Sequence, residues 1–161
     1  MILSCGEALI DMLPRTSTEG EPCFAPYAGG AVFNTAIALG RLGAPSAFFS
    51  GVSNDMLGEI LADTLAASNV DTRYLARSDR PTTVAFVKLV DGQATYAFYD
   101  EATAGRMLST DQLPALPAEI DTLFAEIGRV YVEAFGLQHQ LNRLSCRGIV
   151  LDQQDSHAYP L

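Results

Sequence analysis

The chain has 161 residues, 10 basic and 19 acidic side chains, a formal net charge of −9, and 48% hydrophobic against 18% charged residues. That length makes one domain with a core of its own, and the apolar share excludes an intrinsically disordered chain. A pI near 4.5, a single lysine (Lys88) and scattered arginines argue against a phosphate-neutralising grip on nucleic acid and against a cationic membrane anchor, so neither nucleic acid nor membrane is an expected partner.

No apolar run reaches the length of a bilayer span. Met1 to Cys5 leads into Gly6, Glu7 and Asp11 without a basic leader region, so a cytoplasmic location is expected. The three cysteines, Cys5, Cys23 and Cys146, form no Cys-x-x-Cys pair and read as reduced thiols.

The first segment, Ile2 to Asp11, is nearly continuously apolar and short, the pattern of a strand buried on both faces. Pro14 to Pro26 is turn-rich and too polar for a core. Gly29-Gly30 opens a helix from Ala31 to Leu42 that Gly43 closes. Ser46 to Val52 reads as the next buried strand. Asn54 or Asp55 can cap a second helix over Met56 to Ser68, with Leu57, Ile60, Leu61, Thr64 and Leu65 on one face.

The alternation of strands and helices predicts an α/β fold with parallel strands. Thr83–Val90 and Gln93–Asp100 then form a hairpin about Asp91-Gly92, a type I′ turn signal, which pairs Leu89 with Ala94, Val87 with Tyr96 and Ala85 with Phe98. One face of this hairpin is apolar, while Lys88, Gln93 and Thr95 lie on the other. An antiparallel pair inside a βα chain indicates a separate small sheet. Glu119 to Phe124 reads as a short helix, and Arg129–Val132 and Gly148–Asp152 as strands; the tail from Gln153 is polar and irregular.

Four residues are candidates for holding a hydroxylated ligand. Gly29 and Gly30 at a helix start can present bare backbone N–H groups, although two glycines alone need only make a turn. Asn34, one turn into that helix, carries an amide that both donates and accepts, which suits a pair of sugar hydroxyls; otherwise it is a local hydrogen-bonder. Asp11 ends the first strand, where ligands of open α/β sheets bind, or it is an ordinary turn aspartate. Glu7 reads as structural, a carboxylate inside the strand that needs a buried partner. A dinucleotide site is excluded, because the glycines make no G-x-G-x-x-G and no acidic residue ends the second strand. No Walker A loop precedes Lys88. His139 and His157 sit in the irregular tail, so neither a metal site nor a Ser-His-Asp set is assigned.

Together these residues resemble the PfkB-type, ribokinase-like sugar kinases, and within them the bacterial fructokinase branch. The resemblance rests on Gly6 to Asp11, Gly29-Gly30-Ala31-Val32-Phe33-Asn34-Thr35-Ala36, Leu39 to Gly43, Gly51 to Gly58, Arg80 to Thr83, and Ala94 to Leu108, continuous and in order to about Phe124. Val32 stands where the family has a small residue or proline, close enough to crowd a bound sugar. Ser53 stands where a glycine is common.

The resemblance implies a central parallel sheet flanked by helices with a small antiparallel β lid, here about 12–28 and 83–100, which often makes a dimer contact. Residues 1–124 would be the N-terminal part of the kinase domain and 125–161 a divergent tail, the mark of a truncated or frameshifted product with an exposed sheet edge. It implies that Asp11, Gly29, Gly30 and Asn34 touch the sugar hydroxyls, with Tyr96 and Phe98 as apolar cover. The chemistry implied is phosphoryl transfer from Mg-ATP to a primary hydroxyl, most simply of fructose, by an aspartate base in a Gly-Ala-Gly-Asp motif. That motif does not occur in this sequence. No catalytic residue is therefore assigned, and ATP and Mg2+ are expected for the complete family enzyme rather than for this chain. Asp152 follows an apolar strand as in the family, but Gln153-Gln154-Asp155-Ser156 replaces the usual continuation. The competing reading is a non-catalytic sugar-binding or dimerising module.

Overall fold

The computed structural model describes residues 1–90, 93–115, 117–126 and 148–152. In chain order the elements are β1 (Ile2–Cys5), β2 (Leu9–Thr16), β3 (Pro22–Gly29), α1 (Ala31–Arg41), β4 (Ser46–Phe49), β5 (Gly51–Ser53), α2 (Met56–Ala67), β6 (Val70–Asp71), β7 (Ala76–Ser78), β8 (Val84–Val90), β9 (Gln93–Tyr99), a 3-10 turn (Thr110–Gln112), β10 (Thr122–Glu126) and β11 (Gly148–Asp152). They make three sheets: five strands in the order β11-β10-β1-β4-β6, four in the order β3-β2-β8-β9, and the pair β5-β7.

The five-stranded sheet is parallel throughout and explains the apolar runs. Successive side chains of a strand point to opposite faces, and both faces here are covered. Leu3, Cys5, Ala47, Phe49, Leu123 and Ala125 pack on one side with Tyr74 and Ile120. Phe48 meets Phe33, Ala36 and Ile37 of α1 and Leu61 and Leu65 of α2 on the other. Phe33 and Phe48 touch edge to face, centroids 5.6 Å apart, the arrangement the ring quadrupoles favour. Burial pushes the Cys5 thiol up to about 12. Cys5 and Cys23 are both free thiols, while Cys146 lies outside the described residues.

Several expectations need correcting. Ile2 to Asp11 is two strands, not one. The chain leaves the first sheet after Cys5, turns at Gly6 to Ala8, and enters the four-stranded sheet at Leu9. An apolar run hides such a break, because hydrophobicity persists while the partner changes. The turn-rich stretch from Pro14 to Pro26 forms most of the hairpin of β2 with β3, within the 12–28 segment expected in the small β sheet; β3 is an edge strand, where proline and polar residues are tolerated. The β2–β8 ladder stops at Met12, two residues short of Pro14, which has no N–H to continue it. Ser46 to Val52 is divided at Ser50 between two sheets. Glu119 to Phe124 is not helical. Pairing with β1 draws Thr122–Glu126 into the sheet as β10, a tertiary override of a weak local preference. Gly148–Asp152 is a strand as read, parallel to β10, whereas Arg129–Val132 and the turn at Asp91-Gly92 fall outside the described residues.

Helix α1 matches its expected span. Helix α2 begins at Met56, and its cap is Asp55, whose side chain accepts from Leu57 N and Gly58 N. Asn54 bridges Asp79 and Arg77 instead. The register of β8 with β9 is the one expected, with Leu89 opposite Ala94, Val87 opposite Tyr96 and Ala85 opposite Phe98. Among the described residues no helix is long and apolar enough to cross a membrane.

Phe33 is fully buried and belongs to the core shared by α1 and the parallel sheet. Phe33→Ala is expected to lower unfolding free energy by about 3–5 kcal/mol, read as a shift in urea midpoint at unchanged slope.

Candidate functional site

Two glycines bring the carboxyl end of β1 and the start of α1 into contact. Gly30 is the residue before the helix and has φ 114, a conformation L side chains avoid. A Cβ there would stand 2.7 Å from the Glu7 carbonyl oxygen. A Cβ on Gly29 would collide with Asp11 Oδ2. Gly30 is therefore dictated by its conformation and by close approach of backbone, whereas what approaches Gly29 is the candidate carboxylate itself.

Asp11 is the third residue of β2, not the end of the first strand, and so belongs to the four-stranded sheet. Its neighbours across the strands are Tyr27 on β3 and Ala85 on β8, and Ala85 pairs in turn with Phe98 on β9. Paired residues share a face, so Tyr27, Asp11, Ala85 and Phe98 form one row, with Phe98 about 10 Å from Asp11 at two strand spacings. Desolvation by burial raises the Asp11 pKa above the ordinary aspartate value.

Asn34 lies one turn into α1 with its backbone N–H bonded to Gly30 O at 2.9 Å and its side chain exposed. The first-turn amides of a helix lack intrahelical acceptors, and that of Ala31 donates to Glu7 Oε1 at 3.3 Å. Asp11 thus lies against Gly29, and Gly30 and Asn34 follow at the start of α1. Tyr96 and Phe98 stack with centroids 5.9 Å apart and planes 20° from parallel. They are 55% and 59% exposed and stand apart from the cluster, beyond Ala85 and Val87.

Three features were not legible. Glu7 is exposed rather than buried in a strand, because it sits in the link between sheets, and it serves the start of α1. Arg15 lies over Tyr27, its guanidinium carbon 5.3 Å from the ring centroid, and donates to the Tyr27 hydroxyl at 3.2 Å; only the β2–β3 pairing reveals that contact. Val32 does not crowd the cluster, since its side chain is fully buried and packs beneath Gly6. An open groove lined by Pro14, Phe24, Phe86, Lys88 and Tyr96 lies toward the free end of the sheet and includes none of Asp11, Gly29, Gly30 and Asn34.

Among the described residues no three His, Cys, Asp or Glu side chains gather as a metal site. What the cluster can do is hold hydroxyl groups, with a carboxylate to accept, an amide to do both, and helix-start N–H groups beside them.

The sequence profile described as pfkB family carbohydrate kinase matches residues 1–142, and the chain belongs to that family. A fructokinase from Rhizobium leguminosarum bv. trifolii is 68% identical over 123 residues, which is 76% of this chain and 38% of that protein. The Escherichia coli fructokinase is 33% identical over 68% of this chain and 35% of its own length. Among solved structures, a fructokinase from Xylella fastidiosa with bound ATP superposes with TM-score 0.79 at 29% identity, over 93% of this chain and 47% of that one. The chain thus spans about one third to one half of these relatives.

Gly30→Ala tests the close approach at the helix start. It is expected to cost about 1–3 kcal/mol of stability through backbone strain and the Glu7 contact. Gly20→Ala, at φ 83 but with nothing within 4 Å, is expected to cost less, about 1 kcal/mol; thermal unfolding of both variants checks the difference.

Proposed function

We propose that this chain supplies the sugar-binding part of a fructokinase-like phosphotransferase, with fructose as the sugar. The observation that carries the reading is Asp11, held against Gly29 at the start of α1 with Asn34 one turn further on. A carboxylate accepts two hydroxyl hydrogen bonds from a vicinal pair, and such charge-assisted bonds are the strong ones. The Asn34 amide donates to one neighbouring hydroxyl and accepts from another. The four-stranded sheet acts as the lid, laying Tyr96 and Phe98 over the apolar face of the ring and excluding water from it.

Residues 125–161 are read as a divergent tail to a kinase domain that occupies 1–124. The transferred phosphoryl group would come from ATP with Mg2+ in the complete enzyme. This sequence holds no Gly-Ala-Gly-Asp motif for base and anion hole, which favours a second reading, a sugar-binding module without turnover. A homodimer through the lid belongs to either reading, supported by Phe24 and Tyr99, both exposed and in edge contact with Phe86 on the face away from Asp11.

Calorimetry with fructose is expected to show saturable binding that weakens on the order of 100-fold in Asp11→Ala, the size of losing two hydrogen bonds to a charged group. ATP-dependent phosphorylation of fructose, ribose and adenosine by the same chain with Mg2+ separates the two readings. Turnover would require a base among its own residues, with Asp152 and Asp155 the first to substitute, and would end the second reading. Absence of fructose binding would end both.

The pH dependence has a definite sign. Asp11 must be ionised to accept, and its pKa is raised by burial. Fructose affinity is therefore expected to fall on acidification, starting at a higher pH than an ordinary aspartate would allow. Asp11→Asn should bind weakly with no such dependence.

A further inference from the structure

One carboxylate outside the sugar cluster joins the helical core to the lid. Asp55 Oδ1 caps α2, accepting from Leu57 N at 3.1 Å and Gly58 N at 2.8 Å. The same oxygen accepts from the Thr82 hydroxyl at 2.6 Å, and Oδ2 accepts from Thr82 N at 2.9 Å. A helix cap needs a single acceptor oxygen, and serine serves as well as aspartate. The second oxygen, spent on a residue 27 positions away, is not explained by capping.

Thr82 is buried and stands two residues before β8. Its neighbour Thr83 accepts from Ile10 N through its carbonyl at 2.9 Å, and donates its hydroxyl to Thr103 Oγ1 at 2.8 Å. Thr103 in turn donates to Asp100 O, and Ala104 N donates to Pro81 O at 3.0 Å. Arg106 and Asp100 form an ion pair that closes this loop. Both roots of the β8–β9 hairpin are therefore tied to the start of α2, three residues from the row that sets Asp11 opposite Ala85 and Ala85 opposite Phe98. Burial acts to raise the Asp55 pKa, yet hydrogen bonds from Thr82, Gly58 and Ser53 outweigh it and hold the carboxyl below the usual aspartate value, so the group is ionised at neutral pH.

We propose that Asp55 is a positioning residue for the sugar site: its carboxylate latches the β8–β9 hairpin to α2 and so sets Tyr96 and Phe98 at a fixed place relative to Asp11. The placement of a sugar between them rests on the function proposed above; the latch itself does not.

Three variants separate latch from cap. Asp55→Ser keeps an acceptor for α2 and releases Thr82. Asp55→Asn keeps the cap but turns an amide N–H toward the Thr82 N–H. Thr82→Val leaves the cap untouched and removes only the hydroxyl. Amide hydrogen exchange of the full chain is expected to quicken about tenfold or more in peptides covering residues 82–90 and 93–104, the size of losing a charge-assisted hydrogen bond, with β1 and β4 unchanged. Fructose affinity by calorimetry is expected to fall about tenfold alongside. Unchanged exchange at the hairpin in Asp55→Ser and Thr82→Val would overturn the latch, as would an equal rise in β1 and β4, which marks a general loss of stability. If the parent chain binds no fructose, the sugar reading fails while the exchange pattern still decides the latch.

Discussion

The short link from Cys5 to Leu9 is the constraint on which the rest of this structure depends. There the chain passes from a sheet buried on both faces to one that is largely open. The crossing is made without side-chain bulk at two points: Gly6 lies on the buried Val32, and Gly30 lies on the Glu7 carbonyl. Because β1 and α1 are fixed by the core, the link brings β2 past the helix start at backbone contact distance. The β2–β3 ladder, which pairs Leu9 with Gly29 and Asp11 with Tyr27, then sets the Asp11 side chain against Gly29. A bulkier residue at either contact would push the two sheets apart and take the carboxylate with it.

The two sheets are held together by different physics. The parallel sheet depends on area removed from water, with Leu3, Phe48, Leu61, Leu65 and Leu123 almost wholly enclosed. Among the described residues the four-stranded sheet has few enclosed side chains beyond Leu9, Ile10, Ala85 and Val87. Its position is set by backbone ladders, by Ile10 N to Thr83 O, and by the hydrogen bonds of Thr82 with an ionised carboxylate. Apolar burial is insensitive to direction, whereas hydrogen bonds fix orientation. A part of the molecule that must stand at a set height over a site is better held by the second kind.

The sequence showed a good deal of this, unevenly. Helices α1 and α2 were legible because their periodicity and ends are local: Gly29-Gly30 before one, an acidic cap before the other. The β8–β9 register was legible because a two-residue turn fixes pairing by counting outward. Ile2 to Asp11 misled because strand partners are chosen by distant segments, and an apolar decapeptide looks the same whether it serves one sheet or two. Glu119 to Phe124 misled for the same reason, since only β1, more than a hundred residues away, makes it a strand. Of the candidate residues, Gly29, Gly30 and Asn34 stand just before or within the first turn of α1 as read, whereas Asp11 was placed on the wrong element. Glu7 and the second oxygen of Asp55 were out of reach, because each is defined by a partner remote in sequence.

Strand β9 has all seven of its residues exposed. Such a strand adds little to the area buried on folding, so changes in its side chains are felt weakly by the core. The same strand carries Tyr96 and Phe98, whose stacked rings stand open to solvent. Side chains on this edge can thus be exchanged without first securing compensating changes in the interior, and divergence can begin here while the parallel sheet stays as it is.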